Sequence, residues 1–194
     1  MTASADVAAA RAALRGVLMA VRVKGWAEVA VIAEAVGSPM GEAQAWLDEA
    51  ATRDEVRRLD DQRRWTLTGQ GRAALKRLNA DSGIDLERLG ASYDQFLTHD
   101  AALKRTIAAW QDGRSPVLLG AVRAAATAAA SVIGKLAMID RRYAAYANRF
   151  ERACARVAAG DASAVAKPGS DSVHQVWFEL HEDLLVLLGR TRCS

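Results

Sequence analysis

Apolar positions recur at three- and four-residue steps over most of the chain, the spacing that lines one face of a helix. Val7, Ala10, Leu14, Val17 and Val21 mark a first helix from about residue 4 to residue 23. Val29, Ile32, Ala33 and Val36 give a short second helix that stops at Gly37, a residue able to take the left-handed C-cap conformation. Ser38 as N-cap and Pro39 in the first helical position then start a third helix, with Ala43, Trp46 and Leu47 facing inward. Here the pattern changes. Residues 55–59 and 63–67 are strand candidates joined by a polar Asp60-Asp61-Gln62 turn, and Thr68 caps a fourth helix from Gly69 through Leu78.

Residues 79–83 form a polar, glycine-containing break, which places the expected domain boundary between 1–80 and 81–194. Beyond it the periodicity predicts helices over about 85–98, 100–112, 116–137, 138–159 and 173–188, with 160–172 as a loop. In the last helix Ser172-x-x-Gln175 fits a capping box. Val176, Trp177, Leu180, Leu184 and Leu188 form one apolar stripe, Phe178 and Leu185 a second, and only Gln175, Glu179 and Glu182 a polar edge. A helix so apolar belongs inside a bundle or a dimer interface. The expected class is mainly α (α+β): a helix-turn-helix with a two-stranded hairpin, followed by an all-helical domain.

Composition adds limits. Of the 194 residues 51% are apolar and 25% charged, the balance of a chain that folds. No run approaches the eighteen or so uninterrupted apolar residues of a membrane span, and the N-terminus lacks the order of a secretion signal, so a cytoplasmic location without a membrane partner is expected. Cys154 and Cys193 show neither metal nor disulfide spacing. The net charge of +3 permits a polyanionic partner without demanding one. The positive charge is local: Arg53, Arg57, Arg58, Arg63, Arg64, Arg72, Lys76 and Arg77 face only Asp54, Glu55, Asp60 and Asp61 between residues 53 and 77.

Residues 29–39, VAVIAEAVGSP, and 65–75, WTLTGQGRAAL, resemble the helix-turn-helix and the last wing strand with its following helix in MarR-type winged helix-turn-helix regulators. The second stretch carries the L-T-x-x-G-R pattern. The resemblance covers about two fifths of the chain, and the rest resembles only a helical companion domain of actinobacterial proteins. It implies a transcription regulator that binds double-stranded DNA as a homodimer, with the third helix in the major groove and the wing on the backbone or minor groove. Arg57, Arg58, Arg63 and Arg64 then become wing contacts, and Arg53 and Gln44 contacts from the third helix. The third helix departs from the pattern by holding Glu42, Asp48 and Glu49 and no basic residue. Two alternatives stay open: a solvated hairpin whose charge Asp60 and Asp61 partly neutralise, and a module that binds a protein partner through the acidic helix.

Tyr93, Trp110, His174, Trp177, Phe178 and His181 are either core residues of the helical domain or the lining of a small-molecule effector site. His174 and His181 lie two turns apart, about 10 Å along the axis, too far to share one metal ion, so no metal or other cofactor is expected. Trp26, Trp46 and Trp65 read as core residues of the small domain. No phosphate loop, nucleophile elbow or H-E-x-x-H is present, and no enzyme activity is expected.

Overall fold

The computed structural model describes residues 2–59 and 63–191. Asp60, Asp61, Gln62 and Cys193 lie outside them. The described chain is mainly helical, with one small antiparallel sheet of three strands. It divides into two compact units, Met1–Ile84 and Asp85–Ser194, four residues beyond the expected break at residue 80.

The first unit runs α1 (Thr2–Lys24), β1 (Trp26–Glu28), α2 (Val29–Val36), α3 (Met40–Thr52), β2 (Val56–Arg58), β3 (Arg64–Leu67) and α4 (Gly69–Ala80). The core forms where Val17, Leu18 and Val21 of α1 meet Ile32, Leu47, Trp65 and Leu75, all buried. The helix α2 ends as its glycine requires, with Gly37 at φ 69°. The following turn differs from expectation. The Ser38 amide closes back on the Ala33 carbonyl at 3.1 Å, so Ser38 belongs to the end of α2, and α3 begins at Met40 behind Pro39 without a side-chain cap.

The hairpin is joined by a strand that the sequence reading missed. β1 pairs with β3, giving the order β1-β3-β2. At three residues β1 is too short to show a period, yet its alternation is plain: Ala27 is buried, while Trp26 and Glu28 face outward. Trp26 is therefore not a core residue; it is 56% exposed. Trp46 is half-buried and Trp65 is buried, as its alternation with Arg64 and Thr66 requires.

Thr68 explains the T-x-x-G part of the L-T-x-x-G-R stretch physically. Its hydroxyl accepts from the Gly71 amide at 3.0 Å, capping α4, and donates to the Asp54 carbonyl at 2.6 Å. Gly71 lies so close to β2 that a Cβ there would sit 1.9 Å from the Glu55 carbonyl oxygen. Only glycine fits.

The second unit contains α5 (Leu86–Gly113), α6 (Pro116–Ala137), α7 (Tyr143–Ala158), α8 (Ser163–Ala166) and α9 (Val173–Leu188). Two helices expected at 85–98 and 100–112 are one, because Leu89, Phe96, Asp100, Leu103, Ile107 and Trp110 form one continuous buried stripe. The buried Asp100 interrupts the apolar pattern without interrupting the helix. Residues 138–142 turn before α7, and α8 lies within the expected loop. By length and composition α6 could cross a membrane, a test that a core helix also passes. Here it packs against α5 and α7 through Val122, Ala126, Ala129, Val132, Ile133 and Leu136.

Candidate functional site

The sheet sorts the hairpin arginines onto two faces. In the β2–β3 register Arg57 stands opposite Thr66 and Arg58 opposite Trp65. Partners in register share a face. Arg58 thus lies on the core side, its guanidinium 4.7 Å from the Trp65 ring centre, while Arg57 and Arg64 lie on the outer side with Thr66. Arg64 stacks over Trp26 at 4.1 Å. Arg57 and Arg63 are exposed, and neither has an ion-pair partner among the described residues.

The two contacts expected from α3 are placed differently. Arg53 turns back onto carboxylates, 2.7 Å from Glu49 and 3.3 Å from Glu55. These hydrogen bonds, Glu49 first and Glu55 second, hold its guanidinium above the ordinary arginine value. Gln44 is half-buried and its amide donates to Asp48 at 2.8 Å. Glu42, Asp48 and Glu49 are exposed. The face of α3 is anionic, and the positive charge without an ion-pair partner among the described residues lies on the hairpin.

In the helical unit the six expected lining residues do not converge on one place. Tyr93, Trp177 and His181 do: the Tyr93 hydroxyl lies 3.1 Å from His181 Nε2, and Phe96 stacks on Trp177 at 4.2 Å. Trp177 Nε1 donates to Asp100 at 3.0 Å, and Lys104 donates to the other oxygen at 2.7 Å. These rings pack against one another as core. Trp110 lies seventeen residues further along α5, about 25 Å away at 1.5 Å per residue, and is covered by Arg114 at 4.4 Å. Phe178 is 38% exposed, and His174 is half-buried a turn before Trp177. Placing both stripes of the last helix in one pocket ignored their divergence around its axis.

What the sequence reading missed is a charged interior between α7 and α9. Asp183 is fully buried and accepts from the Arg142 guanidinium, from Tyr143 at 3.2 Å and from Tyr146 at 3.2 Å. Arg142 also binds Asp140 at 2.8 Å. Two turns along, the buried Arg149 binds Asp171 at 2.6 Å and 2.8 Å and Glu179 at 2.7 Å, and Gln175 donates to Glu179 at 2.8 Å. Glu179 is therefore buried, not part of a solvated edge.

Burial opposes the charge on Arg142, but Asp183 and its other partners prevail and hold the guanidinium well above its ordinary value. The same holds for Arg149 with Asp171 and Glu179. Burial pushes Tyr143 and Tyr146 well up, so both phenols are neutral donors. The signal was in the sequence: Arg142, Tyr143, Tyr146 and Arg149 share a face of α7, and Gln175, Glu179 and Asp183 repeat every four residues on α9. Buried ion pairs of this kind hold helices in register.

Cys154 is half-buried, and burial pushes its thiol up to about 11, leaving it unreactive near neutrality. No group of three or more His, Cys, Asp or Glu among the described residues is placed to hold a metal ion. Comparison of the chain with protein-family models, with curated proteins and with solved structures finds no match.

Proposed function

We propose that the first unit is a winged helix-turn-helix domain and that the protein is a transcription regulator binding double-stranded DNA through its arginine hairpin. The observation that carries this is the placement of Arg57 and Arg63, exposed on the hairpin and without a carboxylate partner among the described residues. The element order supports it: α2 and α3 are joined by a three-residue turn, and the hairpin follows α3 directly. Arg64 adds a third cation, because a guanidinium over an exposed ring is held by about 0.5–1 kcal/mol, less than the roughly 1.5–3 kcal/mol of a charge-assisted phosphate contact.

Affinity on this reading comes from the wing, since three carboxylates on α3 repel phosphates. Gln44 reaches a base edge only by leaving Asp48. The protein acts as a homodimer, and we place the second copy on the first half of α1, where Val7 is 60% exposed. Most of the apolar surface of α9 is used inside its own unit, with Val176, Trp177, Leu180, Leu184 and Leu185 buried. Nothing in the proposal requires a small-molecule effector.

A second reading rests on the same exposed carboxylates: Glu42, Asp48 and Glu49 form a surface for a basic protein partner. A salt titration of binding to nonspecific duplex DNA separates the two. The regulator binds at low salt with affinity falling steeply as salt rises; the partner module shows no binding at any salt.

A further inference from the structure

The outer face of the small sheet carries an arrangement that the duplex reading leaves unused. One row across the three strands is Trp26, Thr66 and Arg57, and the next is Glu28 and Arg64. Trp26 is 56% exposed on an edge strand, with the Arg64 guanidinium 4.1 Å from its ring centre. Its backbone is fixed on both sides: the preceding Gly25 takes φ 75° with its carbonyl accepting from the Thr66 hydroxyl at 2.8 Å, and the following Ala27 pairs with Trp65. The indole is therefore held, not trailing, and Arg57 lies two strands away, about 10 Å, on the same row.

We propose that this face binds single-stranded DNA, one base stacking on the Trp26–Arg64 pair while a flanking phosphate pairs with Arg57. The chemistry selects that occupant. A protein hot spot needs further apolar surface around its aromatic anchor, and the sheet residues beside Trp26 are Thr66, Glu28, Arg57 and Arg64. A nucleotide offers what the face lacks: a π surface for the ring and the guanidinium plane, and a negative charge for the arginines. Two arginines against the single carboxylate of Glu28 leave the face cationic. The site shares Arg57 and Arg64 with the proposed wing contacts but needs no groove and no help from α3.

The test uses the full chain and a fluorescently labelled oligothymidylate of about 12 nucleotides, a length suited to one binding face. Wild type is expected to bind it, with quenching of indole emission. Trp65, Trp110 and Trp177 are buried and Trp46 is half-buried, so Trp26 is the most exposed of the five indoles, and the Trp26→Phe variant assigns the quenching to it. Trp26→Ala should weaken binding by on the order of 10-fold. Trp26→Phe should restore binding and still lose the quenching, which separates stacking from a disturbed fold, and Glu28→Gln should tighten binding. Wild type that ignores the single strand, or a Trp26→Ala variant that binds as wild type does, overturns the proposal. A duplex of the same length run in parallel keeps the two proposals apart. Binding of duplex alone sinks this one and spares the regulator; binding of single strand alone does the reverse.

Discussion

Asp183 is where the buried charge of the helical unit converges, taking an arginine and two tyrosine hydroxyls on two oxygens. Removing one member of a buried network costs more than the network adds, because the others are left desolvated without partners. Asp183→Ala is expected to lower unfolding stability by about 3–5 kcal/mol in denaturant titration of the full chain; a loss under about 1 kcal/mol contradicts the network's role. The tyrosines make a separate prediction. Folding raises both pKa values, so their stabilising contribution is whole below the ordinary tyrosine value of about 10 and is lost as pH climbs through the folded values. In an alkaline titration followed by tyrosinate absorbance and circular dichroism together, Tyr143 and Tyr146 should ionise only as helix is lost. The pattern of α9 alone does not show this, because a buried Glu179 and Asp183 repeat at the same step as a solvated edge; the difference lies in the arginines and tyrosines that share a face of α7.

At the scale of elements, long amphipathic stretches and caps were readable, and short or polar interruptions were not. The Gly37 stop, the Thr68 cap and the Ser172 cap all form, each from a side chain or conformation that few residues supply. The strand β1 escaped because three residues carry no period, and α5 runs unbroken through the expected gap at residue 99, with Asp100 buried in its stripe. Its carboxylate is satisfied across the helix pair by Trp177 and along the helix by Lys104, which no local window can see. Gly71 offers the sharpest test of an element contact. Gly71→Ala would drive its Cβ into the Glu55 backbone, so the first unit should lose more than about 4 kcal/mol, read as loss of helical signal on heating. Gly37→Ala, which meets only the left-handed conformation, should cost about 1–2 kcal/mol. Equal and small effects would mean that α4 does not press on β2 as described.

For the whole molecule, the hairpin's charge was visible in the sequence, but its division was not. Four arginines treated alike become an Arg58 stacked on Trp65, an Arg64 stacked on Trp26 on the opposite face, and Arg57 and Arg63 without a ring or ion-pair partner among the described residues; strand register sets the faces of Arg57, Arg58 and Arg64. Arg53, expected beside them, is occupied by Glu49 and Glu55. The regulator proposal therefore stands on two guanidinium groups without an ion-pair partner among the described residues rather than on a count of basic residues. Their contribution can be read as counterion release, since each phosphate neutralised on duplex DNA adds about 0.9 to the slope of log affinity against log salt. The decisive measurement is that slope for wild type and for the double variant Arg57→Ala, Arg63→Ala, on one nonspecific duplex under matched conditions. The account predicts a slope shallower by about two in the variant, with weaker binding at every salt concentration. Identical slopes, or wild type that does not bind the duplex at low salt, would contradict it.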